Sequence, residues 1–383
     1  MTREEPIKFE NFISGEWQQQ YQYKSFAPTK VNREWHWEDP VINTLLEKAS
    51  RALAELDAFT LIVPDVDLFI QMHITKEANT SSRIEGTQTQ MDEAVLDISQ
   101  LAPEKRDDWA EVNNYVQAIN EAITELERLP LSNRLLKHTH EILMQGVRGE
   151  LKTPGEFRVS QNWIGGSSLK DAVFVPPHQD DIPALMSDLE LFWHNDTINV
   201  PELIRIALSH YQFETIHPFL DGNGRIGRLL ITLYLVNKGL LKKPSLYLSD
   251  FFERNRGSYY DALTRVRASN DVSHWVRFFL SAVIETANKG KSTFQAILQL
   301  RHDMDTLIFS YGKRAENAQL LIKRLYNKPV TTINGTALLL GISHQAASAL
   351  LKKMVNDNIL VEVTGYQRNR LFIFNRYLEL FNA

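Results

Sequence analysis

The chain has 383 residues, 43% of them hydrophobic and 23% charged, a composition typical of a globular protein with two or three domains. Its net charge of −5 excludes extensive coating of nucleic acid, and the lack of cysteine excludes disulfides, thiolate metal sites and cysteine catalysis. The N-terminus has no apolar segment typical of a signal peptide, and no apolar run reaches the roughly 18 residues of a membrane span. We therefore expect a cytoplasmic protein without a membrane partner.

Residues 1–39 are rich in polar residues, prolines and aromatic side chains, which predicts an extended arm whose rings pin it to the body. A helix is expected from Pro40, because proline suits a first turn and leucines follow at helical spacing. Pro64 breaks this pattern. A second helix is expected from about Asp65 to residues 81–86, where Gly86 is typical of the position after a helix end.

Three further helices are expected at 91–101, 109–129 and 132–145. His138 and His140 lie in the last of them with no partner at metal-ligand spacing, so we expect ordinary surface or core histidines.

Residues 146–177 are punctuated by glycines and prolines. Between these, residues 159–164 and 172–175 have the short, partly β-branched character of two strands, which predicts a β-hairpin. Helices at 180–194 and 202–216 follow and lead into the densest stretch of functional groups in the chain.

That stretch, residues 217–228, reads His-Pro-Phe-Leu-Asp-Gly-Asn-Gly-Arg-Ile-Gly-Arg. Its Asp-Gly-Asn-Gly part favours a turn with positive φ angles, in which successive backbone amides point into one concavity. A helix with a buried stripe follows, so the concavity opens onto a helix N-terminus, which favours a phosphate. Arg225 and Arg228 are three positions apart, and we expect both guanidinium groups to reach the same anion.

Residues 222–227 also fit the G-x-G-x-x-G fingerprint of dinucleotide-binding folds. That fingerprint requires a strand before it, whereas residues 202–215 have a helical period, so we reject this interpretation.

Downstream, two adjacent tyrosines, Tyr259 and Tyr260, offer aromatic faces. One or two long helices are expected over 272–311, with a kink or joint at 288–292. The remaining residues predict a helix–turn–helix and a hairpin around residues 364–366, a pattern that resembles a winged helix.

The whole 217–228 stretch matches the signature H-x-F-x-D-G-N-G-R-x-x-R, and on this basis the chain resembles the Fic family. The members of that family mostly transfer AMP from ATP to a protein hydroxyl. The resemblance extends more loosely over about residues 40–287. It implies a mainly α-helical fold: an N-terminal arm and helical region (1–100), a Fic core with a β-hairpin flap (101–290), and a linker helix with a C-terminal winged helix (291–383).

The resemblance also implies roles for individual residues. His217 would be the base and Asp221 would hold Mg²⁺. The residues implied to bind ATP are Gly222, Asn223, Gly224, Arg225, Gly227, Arg228, Tyr259, Tyr260, Ile164 and Gly165. Ser81, Glu85 and Gly86 match the family's inhibitory motif (S/T)-x-x-x-E-(G/N), which implies that Glu85 pairs with Arg228 and disturbs the γ-phosphate.

Several alternatives remain open. Glu85 would otherwise be a solvated helix end, and the hairpin a purely structural one. Other Fic relatives transfer phosphate or phosphocholine, or remove AMP. A different class of function is a nucleotide-sensing regulator that binds DNA through the winged helix, with Lys352, Lys353, Arg368 and Arg370 facing the DNA. The expected partner is a protein with a hydroxyl side chain, and self-modification and a homodimer are left open.

Overall fold

The structure is a computed structural model, and it describes residues 5–365 and 370–382. Within these ranges it is mainly helical, with three small sheets. The helices are α1 (Pro40–Ile62), α2 (Val66–Ile84), α3 (Met91–Ala94), α4 (Arg106–Glu125), α5 (Asn133–Leu143), α6 (Ile182–His194), α7 (Glu202–Ile216), α8 (Asn223–Asn237), α9 (Ser249–Arg254), α10 (Arg256–Ser269), α11 (Val272–Phe309), α12 (Ala315–Asn327), α13 (Ile333–Leu340), α14 (His344–Asn356) and α15 (Asn375–Asn382). The strands are β1 (Ile7–Lys8), β2 (Gly15–Gln19), β3 (Lys24–Pro28), β4 (Trp35–His36), β5 (Val330–Thr332), β6 (Val361–Glu362) and β7 (Leu371–Ile373).

The N-terminal arm is present and is held by aromatic contacts, but it also contains strand pairs that the sequence analysis did not predict. β1 pairs with β4 in parallel, and β2 pairs with β3 as an antiparallel hairpin. The ring of Trp17 lies 5.3 Å from that of Phe26, which in turn lies 5.7 Å from Phe174. The hairpin therefore rests on the segment that was expected to form the flap.

The first two helices begin and end as their terminal residues predict. The Asp39 side chain accepts a hydrogen bond from the Val41 amide (2.9 Å), which caps α1 directly before Pro40. α2 ends at Ile84, and Gly86 follows shortly after it with φ of +110°, in the region that favours glycine.

The predicted helix at 91–101 is wrong, because only α3 forms there. In both turns that replace it, a side chain and a backbone amide cap each other. Gln90 and Glu93 close the first turn, and Asp97 and Gln100 close the second. Each pair caps the start of its own turn, and Asp97 has an extended backbone (ψ of 146°), so one helix cannot continue through this position.

The predicted joint at 288–292 is also absent, since α11 runs without interruption from Val272 to Phe309. Its glycine serves close packing instead, because a Cβ on Gly290 would lie 3.1 Å from Cδ1 of Leu56 on α1. The domain boundary expected after residue 290 falls inside this helix, and the domain limits remain predictions.

α7 and α8 form the centre of the core. All side chains of α7 from Leu203 to Ile216 are buried, and α8 packs against α2, α4, α5 and α7. None of the helices in the described ranges combines the length and the apolar character that a membrane crossing requires.

The C-terminal region contains the expected helix–turn–helix (α13 and α14), followed by the two expected strands β6 and β7. It also contains β5, which was not predicted and which completes a sheet of order β5-β7-β6. It docks on α2, where Phe69 contacts Tyr326 of α12 at 5.2 Å between ring centres. Its assignment to the winged-helix class remains a prediction.

The basic residues expected to face DNA are not all available. Lys353 pairs with Asp357 (3.1 Å) and covers the ring of Tyr311 (4.3 Å). Arg370 is half-buried over Phe372, and only Lys352 is exposed. Tyr366 and Arg368 lie outside the described residues.

Candidate active site

The loop between α7 and α8 makes a sharp turn at His217. This residue has φ of +50°, and its amide donates to the Phe213 carbonyl (2.9 Å) at the end of α7. Phe219 is fully buried and stacks on the His140 ring at 3.9 Å, which anchors the loop in the core. The loop is therefore fixed on both sides of Pro218.

The start of α8 forms the expected concavity of amides. Gly222 has φ of +73°, and its carbonyl accepts the first helical hydrogen bond, from Ile226. The amides of Asn223, Gly224 and Arg225 thus have no acceptor within the helix. The Asn223 side chain closes the turn, since it accepts from the Phe219 amide and donates to the Phe219 carbonyl, both at 2.8 Å.

The carboxylate of Glu85 occupies the entrance to this concavity. A Cβ on Gly224 would lie only 2.3 Å from Oε1 of Glu85 and 2.9 Å from Nη1 of Arg228. Only glycine at this position allows the carboxylate to approach the helix so closely. A negative charge therefore already lies at the N-terminus of α8, where the helix dipole favours an anion.

Arg228 binds the C-terminal end of α2 and the residue after it through three hydrogen bonds. Its Nε donates to Oγ of Ser81 (2.9 Å), and Nη2 donates to the Ser81 carbonyl (2.9 Å) and to Oε1 of Glu85 (2.7 Å). Burial disfavours both charges, but the ion pair outweighs it: the pKa of Glu85 is lowered and that of Arg228 is raised. The Glu85 side chain remains 37% exposed, so one side of the pair is open to a ligand.

The prediction that Arg225 and Arg228 reach the same anion is not met in this conformation. Nη1 of Arg225 pairs with the buried Glu111 of α4 (3.2 Å), whereas Arg228 turns to α2. α8 lies between these two helices, so side chains three positions apart find different carboxylates. Glu111 also accepts from Arg148 (2.7 Å) in the loop before the flap.

Gly227 does not border the phosphate concavity, contrary to expectation. It faces α7, where a Cβ would lie 2.2 Å from Oε1 of Glu214. Burial raises the pKa of Glu214 to about 7, although Arg228 lies near enough to oppose the shift. Gly227 therefore permits the close contact between the two central helices.

Asp221 is the only acidic residue of the motif and is held by two donors. Its Oδ1 accepts from the Gly222 amide (2.7 Å) and its Oδ2 from Nζ of Lys152 (2.7 Å). Among the described residues no group of three or more His, Asp or Glu side chains forms a metal cage. One half-exposed carboxylate fits Mg²⁺ bound to nucleotide phosphates, because Mg²⁺ commonly takes one or two carboxylates together with phosphate oxygens.

His217 is neutral at physiological pH. Burial, followed by the charge of Arg158, lowers its pKa to about 4, while Glu85 and the backbone of Glu214 oppose the shift. Its Nδ1 is buried within the loop. The other ring nitrogen, Nε2, is therefore the one that can meet a substrate.

Three residues with no marked role in the sequence analysis hold the motif loop by its carbonyl groups. His140, expected to be an ordinary histidine, contacts the Asp221 carbonyl through Nε2 (3.0 Å). Asn162 donates to the Phe219 carbonyl (2.9 Å), and Arg158 donates to the His217 carbonyl (3.0 Å). Their residue types and spacing carry no local signal, because each bond joins segments far apart in the chain.

The flap is a loop closed by a single antiparallel bridge between Ile164 and Phe174, not two paired strands. The end of the second predicted strand also bonds to the N-terminal hairpin, since the carbonyl of Val175 accepts from the Phe26 amide (3.0 Å). Gly165 has φ of +68°, and a Cβ there would lie 2.6 Å from Cγ2 of Val173.

The two tyrosines differ in exposure. Tyr259 is 1% exposed and its hydroxyl contacts Nε2 of His210 (2.9 Å). Its ring therefore offers no face to a nucleotide in this conformation, contrary to the expectation that it binds ATP. Tyr260 is 40% exposed, and Glu85 and Arg228 lie near enough to influence its pKa, which burial raises. Of these two tyrosines, Tyr260 is the one that lies beside the site with an exposed ring.

Comparison with family models decides the affiliation of the chain. Residues 43–124 match the Fic/DOC family N-terminal model, and residues 130–235 match the Fic/DOC family model. These two regions of the chain are therefore Fic/DOC family regions. The second match contains the His217 loop and the flap, and the first contains Glu85, so the two Fic regions meet at the Arg228–Glu85 contact.

Curated relatives and solved structures agree with this family. Proteins called protein adenylyltransferase Fic from Culex quinquefasciatus and Aedes aegypti are each 32% identical over 168 residues, which is 44% of this chain but only 29% of each relative. The chain therefore spans less than a third of the length of these relatives.

A Fic family protein from Desulfovibrio desulfuricans has a TM-score of 0.55 at 22% identity, covering 88% of this chain and 96% of its own. A Fic domain containing signaling protein from Bacteroides thetaiotaomicron has a TM-score of 0.53 at 19% identity, covering 65% of this chain and 97% of its own. These structures show the shared Fic fold.

Proposed function

We propose that this Fic protein is a protein adenylyltransferase, which transfers AMP from ATP to the hydroxyl of a Ser, Thr or Tyr in a protein, and that Glu85 restrains it. The observation that carries this proposal is the position of the Glu85 carboxylate, at the N-terminus of α8 and paired with Arg228. The same amides and the same guanidinium are the groups that would bind a nucleotide phosphate. The relatives named protein adenylyltransferase Fic support the chemistry.

His217 supplies the base. A neutral imidazole accepts the proton of the target hydroxyl at Nε2 as the hydroxyl oxygen attacks the α-phosphorus of ATP and pyrophosphate leaves. Its low pKa keeps the ring unprotonated at neutral pH, and because Nδ1 is buried, Nε2 is the nitrogen that takes the proton. The residues around it contribute mainly by positioning and by charge neutralisation, as is usual in phosphoryl transfer.

The start of α8 holds the phosphates. The free amides of Asn223, Gly224 and Arg225 donate to phosphate oxygens, and Arg228 neutralises charge once it is released from Glu85. Asp221 would hold Mg²⁺, which when bound supplies positive charge to the phosphates. Lys152 must first release the Asp221 carboxylate, to which it is bound in this structure.

Glu85 restrains the reaction by occupying space and charge that the nucleotide needs. With the carboxylate in place, a phosphate at the same amides meets a negative charge and loses one guanidinium. ATP then adopts a pose unsuited to in-line attack, and a misplacement near 1 Å can cost about a hundredfold in rate.

The proposal is tested by labelling with ATP. The full chain with Glu85→Gly, Mg²⁺ and cell lysate should transfer label from α-labelled but not from γ-labelled ATP, and mass spectrometry should identify the modified residue. Adding His217→Ala should abolish transfer but leave ATP binding largely intact. Transfer of the γ-label would show kinase-like chemistry instead, and full activity of the alanine variant would exclude His217 as the base.

A further inference from the structure

Arg158 is a buried arginine that bonds only to carbonyl groups. It is 2% exposed, and no carboxylate in the described ranges forms an ion pair with it. Burial lowers its pKa to about 10, so the guanidinium is still charged at neutral pH. A buried cation without an anionic partner is costly, so the carbonyl groups that surround it need to be held in place.

The carbonyl acceptors of Arg158 belong to two different parts of the active site. On the base loop, its Nε donates to His217 (3.0 Å) and its Nη2 to Ile216 (3.4 Å) at the end of α7. On the flap, its Nη1 donates to Ser160 (3.1 Å) and its Nη2 to Pro177 (2.6 Å).

Ser160 and Pro177 lie before and after the Ile164–Phe174 bridge, so the guanidinium joins the two ends of the flap. Its location at the C-terminus of α7 is also favourable, because the helix dipole concentrates negative charge there. In addition, the Arg158 amide donates to the carbonyl of Pro218 (2.8 Å), directly after the histidine.

We propose that Arg158 is a positioning residue for His217: its guanidinium ties the loop that carries the imidazole to both ends of the flap, and it sets a fixed positive charge beside the ring. This inference rests on the proposed function, in which His217 is the base. One side chain thereby aligns the base with the flap and keeps the ring free of a proton, so that it can accept one from the target.

Four groups on separate elements act on the charge of the His217 ring. Arg158 and Arg267 of α10 disfavour its protonation, whereas Glu85 of α2 and the backbone of Glu214 in α7 favour it. Arg158 is the strongest of the charged contributors, after burial itself. Removing its charge should therefore raise the pKa of His217 toward the ordinary value of 6.5.

Two substitutions separate the charge of Arg158 from its hydrogen bonds. Arg158→Gln removes the charge, and Arg158→Lys keeps it but offers fewer donors in a different geometry. Arg134→Gln, on the exposed surface of α5, is the matched control. The histidines of the full chain are labelled with carbon-13 and titrated by NMR, and His217→Gln identifies the signal of His217.

We expect Arg158→Gln to raise the pKa of His217 by about one unit or more, and Arg158→Lys and Arg134→Gln to leave it in place. Both Arg158 variants should speed hydrogen exchange of the Ile164 and Phe174 amides, which bond across the flap bridge. In the Glu85→Gly background, Arg158→Lys should lower kcat about tenfold or more. The apparent pKa on the acidic side of the pH–rate profile, which reports His217, should not change.

An unchanged pKa of His217 in folded Arg158→Gln protein would overturn the electrostatic part of the inference. Unchanged hydrogen exchange in the flap and an unchanged kcat in Arg158→Lys would overturn the positioning part. If circular dichroism shows that Arg158→Gln is unfolded, the inference is judged on Arg158→Lys alone. If no variant transfers AMP, the proposed function fails, but the titration and the exchange rates still decide the role of Arg158.

Discussion

Glu85 accepts a hydrogen bond of 2.7 Å from Arg228, a residue 143 positions further along the chain. The contact joins the residue after α2 to the second turn of α8 and places a carboxylate of the protein itself at the N-terminus of that helix. The position of the Glu85 carboxylate therefore depends on how the two Fic regions pack against each other.

Removing the Glu85 carboxylate should therefore activate the proposed transfer. We expect Glu85→Gly to raise AMP incorporation, including self-modification, by at least an order of magnitude, which is about 1.4 kcal/mol in the barrier. Arg228→Ala should not be rescued by Glu85→Gly, because the phosphate then lacks its guanidinium. Glu121→Gly, at an exposed position of α4, is the control and should have no effect on the rate. If the rate of AMP incorporation does not rise in Glu85→Gly, Glu85 does not restrain the transfer. It would then be an ordinary residue at a helix end or a group used in AMP removal.

Mg²⁺ should compete with Lys152 for the Asp221 carboxylate. Lys152 is 51% exposed, so the cost of displacing it is small, but it bears a positive charge at the metal position. We expect Lys152→Met to tighten the binding of Mn²⁺ used as a probe, measured by electron paramagnetic resonance with a non-hydrolysable ATP analogue in the Glu85→Gly background. Lys170→Met on the exposed flap should leave Mn²⁺ binding as it is. Equal or weaker binding in Lys152→Met would mean that Lys152 does not compete with the metal.

Acid should destabilise the protein through its buried histidines. Burial lowers the pKa of His73 and His210 to about 3 and that of His140 and His217 to about 4, below the ordinary 6.5. As pH falls below 6.5, the unfolded chain binds protons that the folded chain does not, so the free energy of unfolding decreases toward pH 4.

The slope reaches on the order of 1.4 kcal/mol per pH unit for each such histidine. Glu214 works in the opposite direction, because its raised pKa, about 7, means that the folded state loses stability as pH rises from 4.5 to 7. Burial also raises the pKa of Glu77, which acts in the same direction as Glu214. The four histidines outweigh these two carboxyl groups, so the urea midpoint of unfolding should be lower near pH 5 than near neutrality. A midpoint that does not change between the two conditions would show that these histidines are not buried as neutral groups.

A methyl group on Gly227 should separate the two central helices. It would lie 2.2 Å from Oε1 of Glu214, so we expect Gly227→Ala to lower the free energy of unfolding by about 1–3 kcal/mol. Gly257→Ala in α10 is the matched control, since nothing lies within 4 Å of its Cβ and alanine favours the helix by roughly 0.5–1 kcal/mol. Urea unfolding measures both. Equal stability of the two variants would show that α7 and α8 do not pack as closely as described.

Much of the architecture follows from local patterns in the sequence. Asp39 before Pro40, Gly86 after α2 and the Gly-Asn-Gly turn at the start of α8 are encoded by residues next to one another, because capping bonds and backbone preferences act over a few positions. The motif at 217–228 likewise identified the family before any contact was known. The predicted helix at 91–101 was wrong because a second N-cap at Asp97, with an extended backbone, begins a separate turn inside the apolar pattern.

Tertiary structure alone decided where the charged groups of the site point. Arg225 and Arg228 are equivalent by spacing, yet one faces Glu111 and the other Glu85, because α8 lies between α4 and α2. Arg158 and His140 are part of the site only in the folded chain, because each bonds to a backbone carbonyl group that is far away in the sequence. A hydrogen-bond donor is visible in the sequence, but the buried acceptor that it must satisfy is determined by packing.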